Sequence, residues 1–170
     1  RDVASRFNHQ MGETFVLPEP ITSEETKIVP GLDGEKMSKS RNNTINIFLD
    51  DKALRKVVMS IQTDSTPLED PKNPDTDNVF AIYKLLATPE QIEAMKANYL
   101  AGNYGYGHAK QALYELIVEK FKDLREKYHY YMNNLDEVDA ALKAGADKAS
   151  AVANGVLGRV RKKMGYQAPM

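Results

Sequence analysis

Lys36-Met37-Ser38-Lys39-Ser40 is the stretch on which the reading of this chain turns. It follows Ile28-Val29-Pro30-Gly31-Leu32-Asp33-Gly34-Glu35 and precedes Arg41-Asn42-Asn43-Thr44. Lysines three apart, set among small hydroxyl residues just past a pair of glycines, make a mobile cationic loop. Lys carries a compact point charge on a flexible stem with rotatable donors. Ser38 and Ser40 add small hydroxyls and expose backbone N–H groups, and Gly31 and Gly34 let the chain swing or take positive φ. That chemistry suits a polyphosphate whose charge shifts during reaction. An ordinary solvated surface loop has the same composition, and short motif matches are often accidental. The full pentapeptide is specific enough to favour a nucleotide phosphate.

Working outward, Val3, Phe7 and Met11 share one face at four-residue spacing, so residues 1–11 are predicted as an amphipathic helix stopped by Gly12. Phe15-Val16-Leu17, closed by Pro18, reads as a short strand. Pro18, Pro20 and Pro30 keep the run up to the loop extended, and Ile28-Val29 reads as a last short strand holding the loop. From Asp50 the pattern turns helical. Asp50 or Asp51 is a good N-cap for a stripe of Leu54, Val57, Val58 and Ile61. Residues 63–77, rich in Pro, Asp, Ser and Thr, are predicted as an exposed loop. Their carboxylates (Asp64, Glu69, Asp70, Asp75, Asp77) match no calcium loop, and turn-favouring Asp explains them better.

A helix over 78–87 follows, then the capping box Thr88-Pro89-Glu90-Gln91, opening a helix that buries Ile92, Met95 and Tyr99 and ends at Gly102. Gly102, Gly105 and Gly107 follow a helix instead of a strand, so they read as a turn and not as a dinucleotide loop. Leu113, Ile117, Phe121, Leu124, Tyr128 and Tyr131 predict one long helix packed along its length from His108 to Met132. Tyr128 to Tyr131 could stack on bases, although such aromatics are more often packing contacts. Asn134 is expected to cap a short helix ending at Gly145. Asp147 then caps a final helix with Ala149, Val152, Val156, Leu157, Val160 and Met164 on its buried side. The polar face of that helix carries Lys148, Arg159, Arg161, Lys162 and Lys163. Cations there offset the helix dipole, and a basic helix end is also what a phosphate backbone would meet.

The 170 residues suffice for one domain with a real core, and 42% hydrophobic with 28% charged residues is ordinary for a globular protein. A net charge of -1 excludes an overall basic balance, so any RNA contact must come from a local patch. Cysteine is absent, which excludes disulfides and thiolate metal sites and fits a reducing compartment. No apolar run approaches bilayer length and no signal peptide opens the sequence, so the expected setting is soluble and cytoplasmic, with no membrane. His9, His108 and His129 lie far apart with no partner at ligand spacing, and no metal site is expected.

The pentapeptide (KMSKS) matches the second signature of the class I aminoacyl-tRNA synthetases. Further stretches resemble the tryptophanyl-tRNA synthetase family in order along nearly the whole chain. They are Arg1-Asp2-Val3-Ala4-Ser5-Arg6-Phe7-Asn8, Phe15-Val16-Leu17-Pro18-Glu19, Thr63-Asp64-Ser65, Gly105-Tyr106-Gly107-His108-Ala109-Lys110 and Gly145-Ala146-Asp147-Lys148-Ala149-Ser150. The sequence opens on Arg1 within what resembles a helix, and the other class I signature, a His-Ile-Gly-His type motif, is absent. The resemblance therefore implies a carboxy-terminal half. Residues 1–49 would be the end of a Rossmann-type catalytic domain, with short strands and the lysine loop. Residues 50–170 would be a mostly α, bundle-like, helical anticodon-binding domain.

The resemblance implies ATP-dependent activation of tryptophan and its transfer to tRNA(Trp). In it Lys39 follows the departing pyrophosphate and Lys36 assists at the β- or γ-phosphate. Ile28, Met37, Ser38 and Ser40 complete the ATP contacts, with Ile28 and Met37 near the adenine. Mg2+ would travel with the ATP, and Lys148, Arg159, Arg161, Lys162 and Lys163 would meet tRNA. The full-length enzyme would be a homodimer, and this part alone would be inactive. The Gly-Leu-Asp-Gly portion departs from the commoner Pro-bearing pattern. Alternatives are a non-catalytic helical tRNA- or RNA-binding module, the equivalent part of a tyrosyl-type synthetase, or a helical interaction domain whose loop is coincidental.

Overall fold

The computed structural model describes residues 1–21 and 28–166. Among them run seven α-helices and one 3-10 turn: α1 (Asp2–Met11), the turn Lys39–Arg41, α2 (Asp51–Met59), α3 (Asn78–Tyr83), α4 (Pro89–Ala101), α5 (Tyr106–Lys120), α6 (Lys122–Met132) and α7 (Leu135–Lys163). The chain groups into two compact units, Thr22–His129, and Arg1–Ile21 with Tyr130–Met170.

The mostly α expectation holds, but the short strands do not form among the described residues. Asn8 takes the backbone of the first. Its Oδ1 accepts from Thr14 N–H (3.0 Å) and Phe15 N–H (2.9 Å), and its Nδ2 donates to the Phe15 carbonyl (2.8 Å). A residue whose donor and acceptor are both satisfied locally has nothing left for a ladder. Near Ile28-Val29 the pairing shrinks to one antiparallel bridge, Pro30 with Lys36. Proline has no N–H with which to extend it. Part of the proline-rich extended run, residues 22–27, lies outside the described residues.

In the unit Thr22–His129, α2 and α3 pack on α5. Asp50 caps α2 by accepting from Ala53 N–H at 2.8 Å, and the predicted stripe delivers Leu54, Val58 and Ile61 to the core. The Thr88–Gln91 capping box forms as expected and α4 buries Met95 and Tyr99. Gly102 ends α4 at φ 75°, and a Cβ there would run into the Glu69 carbonyl. Helix α3 stops at Tyr83, short of the predicted residue 87, because the chain tightens into i to i+3 bonds at Leu85 and Leu86.

The loop over 63–77 is mostly exposed, as predicted, and is anchored by a few buried side chains. Lys72 is buried, and its Nζ donates to the carbonyls of Pro67 (2.8 Å), Asp70 (3.1 Å) and Leu68 (3.3 Å) beneath the Tyr106 ring. Asp64 accepts from the Tyr106 hydroxyl at 2.5 Å. Burial and that bond push the Tyr106 hydroxyl up to about 12, and the same bond lowers the Asp64 carboxyl. Asp77, also buried, caps α3 through Phe80 N–H (2.8 Å) and accepts from the Tyr99 hydroxyl (2.7 Å).

The single long helix predicted from His108 to Met132 is two, α5 and α6, broken at Phe121. The packed face also changes there. Leu113 and Ile117 are buried, but Leu124 is 50% exposed, and Arg125 takes the inward position. The Arg125 guanidinium reaches the Leu49 carbonyl (3.0 Å) and Asp51 (2.6 Å), a bridge from a buried cation to an exposed carboxylate that a hydrophobic stripe cannot reveal.

In the other unit, α1 forms as predicted, with Phe7 edge-on to Phe15 at 5.1 Å. The helices expected on either side of Gly145 are one helix, α7. An interior glycine costs only about 1 kcal/mol, and the alanines around it (Ala140, Ala141, Ala144, Ala146) favour continuity. Asp147 is therefore interior, not a cap. Asn134 stands at the N-cap but turns its carboxamide to the Tyr130 carbonyl (2.7 Å). No residue of α7 is buried, and Val152 at 71% and Leu157 at 40% exposure correct the expectation of a buried face.

Candidate functional site

The lysine loop is a hairpin-like turn with a braced base. Gly31 N–H donates to the Glu35 carbonyl (2.7 Å), Gly34 N–H to Gly31 (3.1 Å) and Met37 N–H to Val29 (2.8 Å). Leu32 then ties the turn to its surroundings, its N–H reaching Asn43 O (2.9 Å) and its carbonyl taking Gln62 N–H (2.8 Å). Past the hairpin, Lys39–Arg41 form the 3-10 turn, closed by Asn42 at φ 53°. Ser38 and Ser40 share a hydroxyl contact at 2.8 Å, and Arg41 pairs with Glu35 at 3.5 Å.

Both lysines stand exposed on this braced turn, as does Ser40, while Met37 and Ser38 are half-buried. Ile28 is 58% exposed at the entry to the turn. Met37 and Val29 line an apolar cleft of about 170 Å³ together with Ile82, Leu86, Ile117 and Phe121. Ile28, Lys36, Met37, Ser38, Lys39 and Ser40 thus belong to one local structure.

Gly34 does take positive φ (80°), and a Cβ on it would sit 2.9 Å from Asn78 Cγ. Gly31 is needed for room: a Cβ there would fall 2.6 Å from Asn43 O and into that residue's carboxamide. Residues that sequence reasoning passed over hold the turn. Asn43, 3% exposed, accepts from Ser38 N–H at Oδ1 (2.8 Å). Its Nδ2 donates to Asp33 Oδ1 (2.7 Å) and to the Lys36 carbonyl (3.3 Å). Asp33 also accepts from Glu35 N–H (3.1 Å). The Asn43 amide, above all, holds the Asp33 carboxyl below the usual carboxylate range. The available signal was an asparagine pair directly after the loop.

The basic residues Lys148, Arg159, Arg161, Lys162 and Lys163 are exposed on α7, in the other unit. Lys163 Nζ donates to the Glu13 carbonyl (2.7 Å), and Arg159 reaches back to the Gly155 carbonyl (3.4 Å). Among the described residues no group of three or more His, Cys, Asp or Glu is arranged to hold a metal ion. The carboxylates beside the loop are engaged, Asp33 by Asn43 and Glu35 by Arg41. No helix is long and apolar enough to cross a membrane, among the same residues.

The chain belongs to the family described as "tRNA synthetases class I (W and Y)", whose family model matches residues 1–122. Within that family, tryptophan–tRNA ligases are among its relatives. That of Fusobacterium nucleatum subsp. nucleatum is 51% identical over 154 residues, covering 90% of this chain and 47% of the relative. That of Rhodopirellula baltica is 46% identical, covering 98% and 52%. The tryptophanyl-tRNA synthetase of Campylobacter jejuni, solved with ADP and tryptophan, superposes with a TM-score of 0.82 at 42% identity, over 97% of this chain and 52% of that one. The chain spans about half the length of these relatives.

Proposed function

We propose that these residues are part of a tryptophan–tRNA ligase and supply the loop that handles the phosphates of ATP. The observation that carries the proposal is the braced turn from which Lys36 and Lys39 project free of the core. The solved relative's complex with ADP and tryptophan supports the choice of nucleotide and amino acid. In this reading the tryptophan carboxylate attacks the α-phosphorus of ATP, aminoacyl-adenylate forms and pyrophosphate leaves. The aminoacyl group then passes to tRNA(Trp). Lys39 follows the charge developing on pyrophosphate, Lys36 assists at the β- or γ-phosphate, and Ser38 and Ser40 contribute hydroxyls. Ile28 and Met37 flank the adenine. Positioning and charge stabilisation carry such a step. The carboxylates near the loop are engaged by Asn43 and Arg41, so Mg2+ would be held by the phosphates of ATP and by water.

The same proposal assigns residues 1–49 to the end of the catalytic domain and residues 50–170 to tRNA binding, with Lys148, Arg159, Arg161, Lys162 and Lys163 toward the phosphate backbone. The whole enzyme works as a homodimer in the cytoplasm. The test is tryptophan-dependent ATP–pyrophosphate exchange in a full-length synthetase carrying these residues. Lys39→Ala lowers kcat by about 10²- to 10³-fold, the scale of losing one charge-stabilising donor, and leaves tryptophan affinity unchanged. The 170 residues alone are silent. An unchanged exchange rate for Lys39→Ala overturns the proposal, and exchange that requires tyrosine moves the assignment to the other amino acid of the family.

A further inference from the structure

We propose that Asn43 is the positioning residue of the lysine loop, its buried carboxamide fixing the arc from which Lys36 and Lys39 reach the triphosphate. The inference rests on the loop being the ATP loop. Asn43 touches both limbs of the turn. On the incoming limb its backbone carbonyl takes Leu32 N–H and its Nδ2 donates to Asp33. On the outgoing limb the same Nδ2 reaches the carbonyl of Lys36 itself, and Oδ1 holds Ser38 N–H, one residue before Lys39.

Few side chains can do this. A carboxylate has no proton for Asp33 or for the Lys36 carbonyl, an aliphatic group has neither donor nor acceptor, and glutamine is one methylene too long for the space. The carboxamide is buried, so a lost bond there is not replaced freely by water. Gly31 completes the design, since any Cβ at that position would occupy the volume Asn43 uses. The lysines are exposed, and the turn beneath them is what gives their charges a defined origin. Displacement of such an origin by about 1 Å is enough to cost about 100-fold in rate.

The experiment uses a full-length synthetase carrying these residues and measures kcat and the KM values for ATP and tryptophan in pyrophosphate exchange. The variants are Asn43→Ala, Asn43→Asp, the exchanged pair Asp33→Asn with Asn43→Asp, and Lys39→Ala as reference. Asn43→Ala is expected to lose about 10- to 100-fold in kcat with tryptophan KM unchanged. Asn43→Asp sets carboxylates against each other and loses at least as much. The exchanged pair returns a donor at 33 to an acceptor at 43 while the Ser38 N–H bond is kept and the Lys36 carbonyl stays unpaired, so it recovers part of the lost kcat. A residue that merely supported the fold would lower thermal stability without this rescue or the separation of kcat from tryptophan KM.

Wild-type kcat in Asn43→Ala alongside an inactive Lys39→Ala overturns the role of Asn43 and leaves the ATP-loop reading intact. Full activity in Lys39→Ala overturns that reading, and the role of Asn43 with it. Should Asn43→Ala fail to fold, the comparison of Asn43→Asp with the exchanged pair decides. An exchanged pair no better than the single variant refutes the proposal.

Discussion

Removing Asp77 and Tyr99 separately and together tests how the loop's platform is held. Tyr99 is 0% exposed and Asp77 is 6% exposed, and their bond is 2.7 Å. Burial first, and the Asp77 carboxylate second, drive the Tyr99 hydroxyl's pKa well above its ordinary value, so it stays a donor across the working pH range. Tyr99→Phe removes a bond to a charged acceptor, about 2 kcal/mol. Asp77→Ala removes the α3 cap, about 1 kcal/mol, and leaves a buried hydroxyl unpaired, about 2 kcal/mol more. The double variant orphans no hydroxyl and should cost about 2 kcal/mol or less. The expected coupling is therefore about 3 kcal/mol. Urea unfolding followed by far-UV circular dichroism measures it, since the chain has no tryptophan to report by fluorescence. Additivity within about 0.5 kcal/mol would refute the reasoning. The loop is involved because Asn78, next to Asp77, receives Gly34 and donates to the Gln62 carbonyl (2.9 Å).

Gly31→Ala should lower pyrophosphate exchange in the full-length enzyme while circular dichroism stays unchanged, because its Cβ displaces Asn43 locally. Wild-type kinetics would show that the turn has slack. For RNA, the four cations at the end of α7 (Arg159, Arg161, Lys162 and Lys163) on phosphates give a log–log salt slope of about -3.6 on duplex. Filter binding of tRNA against salt measures it, and replacing Arg161 with Ala should reduce the slope by about 0.9. A slope indifferent to that change removes α7 from the interface.

Local chemistry was legible in the sequence where one residue type dictates one geometry. The Asp50 cap, the Thr88–Gln91 box, the Gly102 stop and the Leu54–Ile61 stripe all formed as read. The lysine loop also stood out, because its residues carry chemistry in consecutive positions. What escaped were bonds between residues distant in sequence. Arg125 entering the interior beside Asp51, Asn8 taking the Phe15 backbone and Lys72 diving under Tyr106 each reverse the usual expectation for a polar side chain. Asn43 escaped for the same reason, since its contacts arise from a fold-back that a linear motif does not encode. Helix α7 misled in the other direction: apolar residues at helical spacing imply a covered face, and here that face stands open within its unit.

The anchoring of Lys72 bears on how the molecule meets changes of ionic strength. An ammonium held by three peptide carbonyls under a ring face is bound to dipoles in a water-poor site, where mobile ions screen little. The ion pairs Arg1–Glu19 and Arg41–Glu35, by contrast, lie in solvent and fade as salt rises. Concentrated salt should therefore loosen the periphery and strip polyanions while the 63–77 segment keeps its conformation.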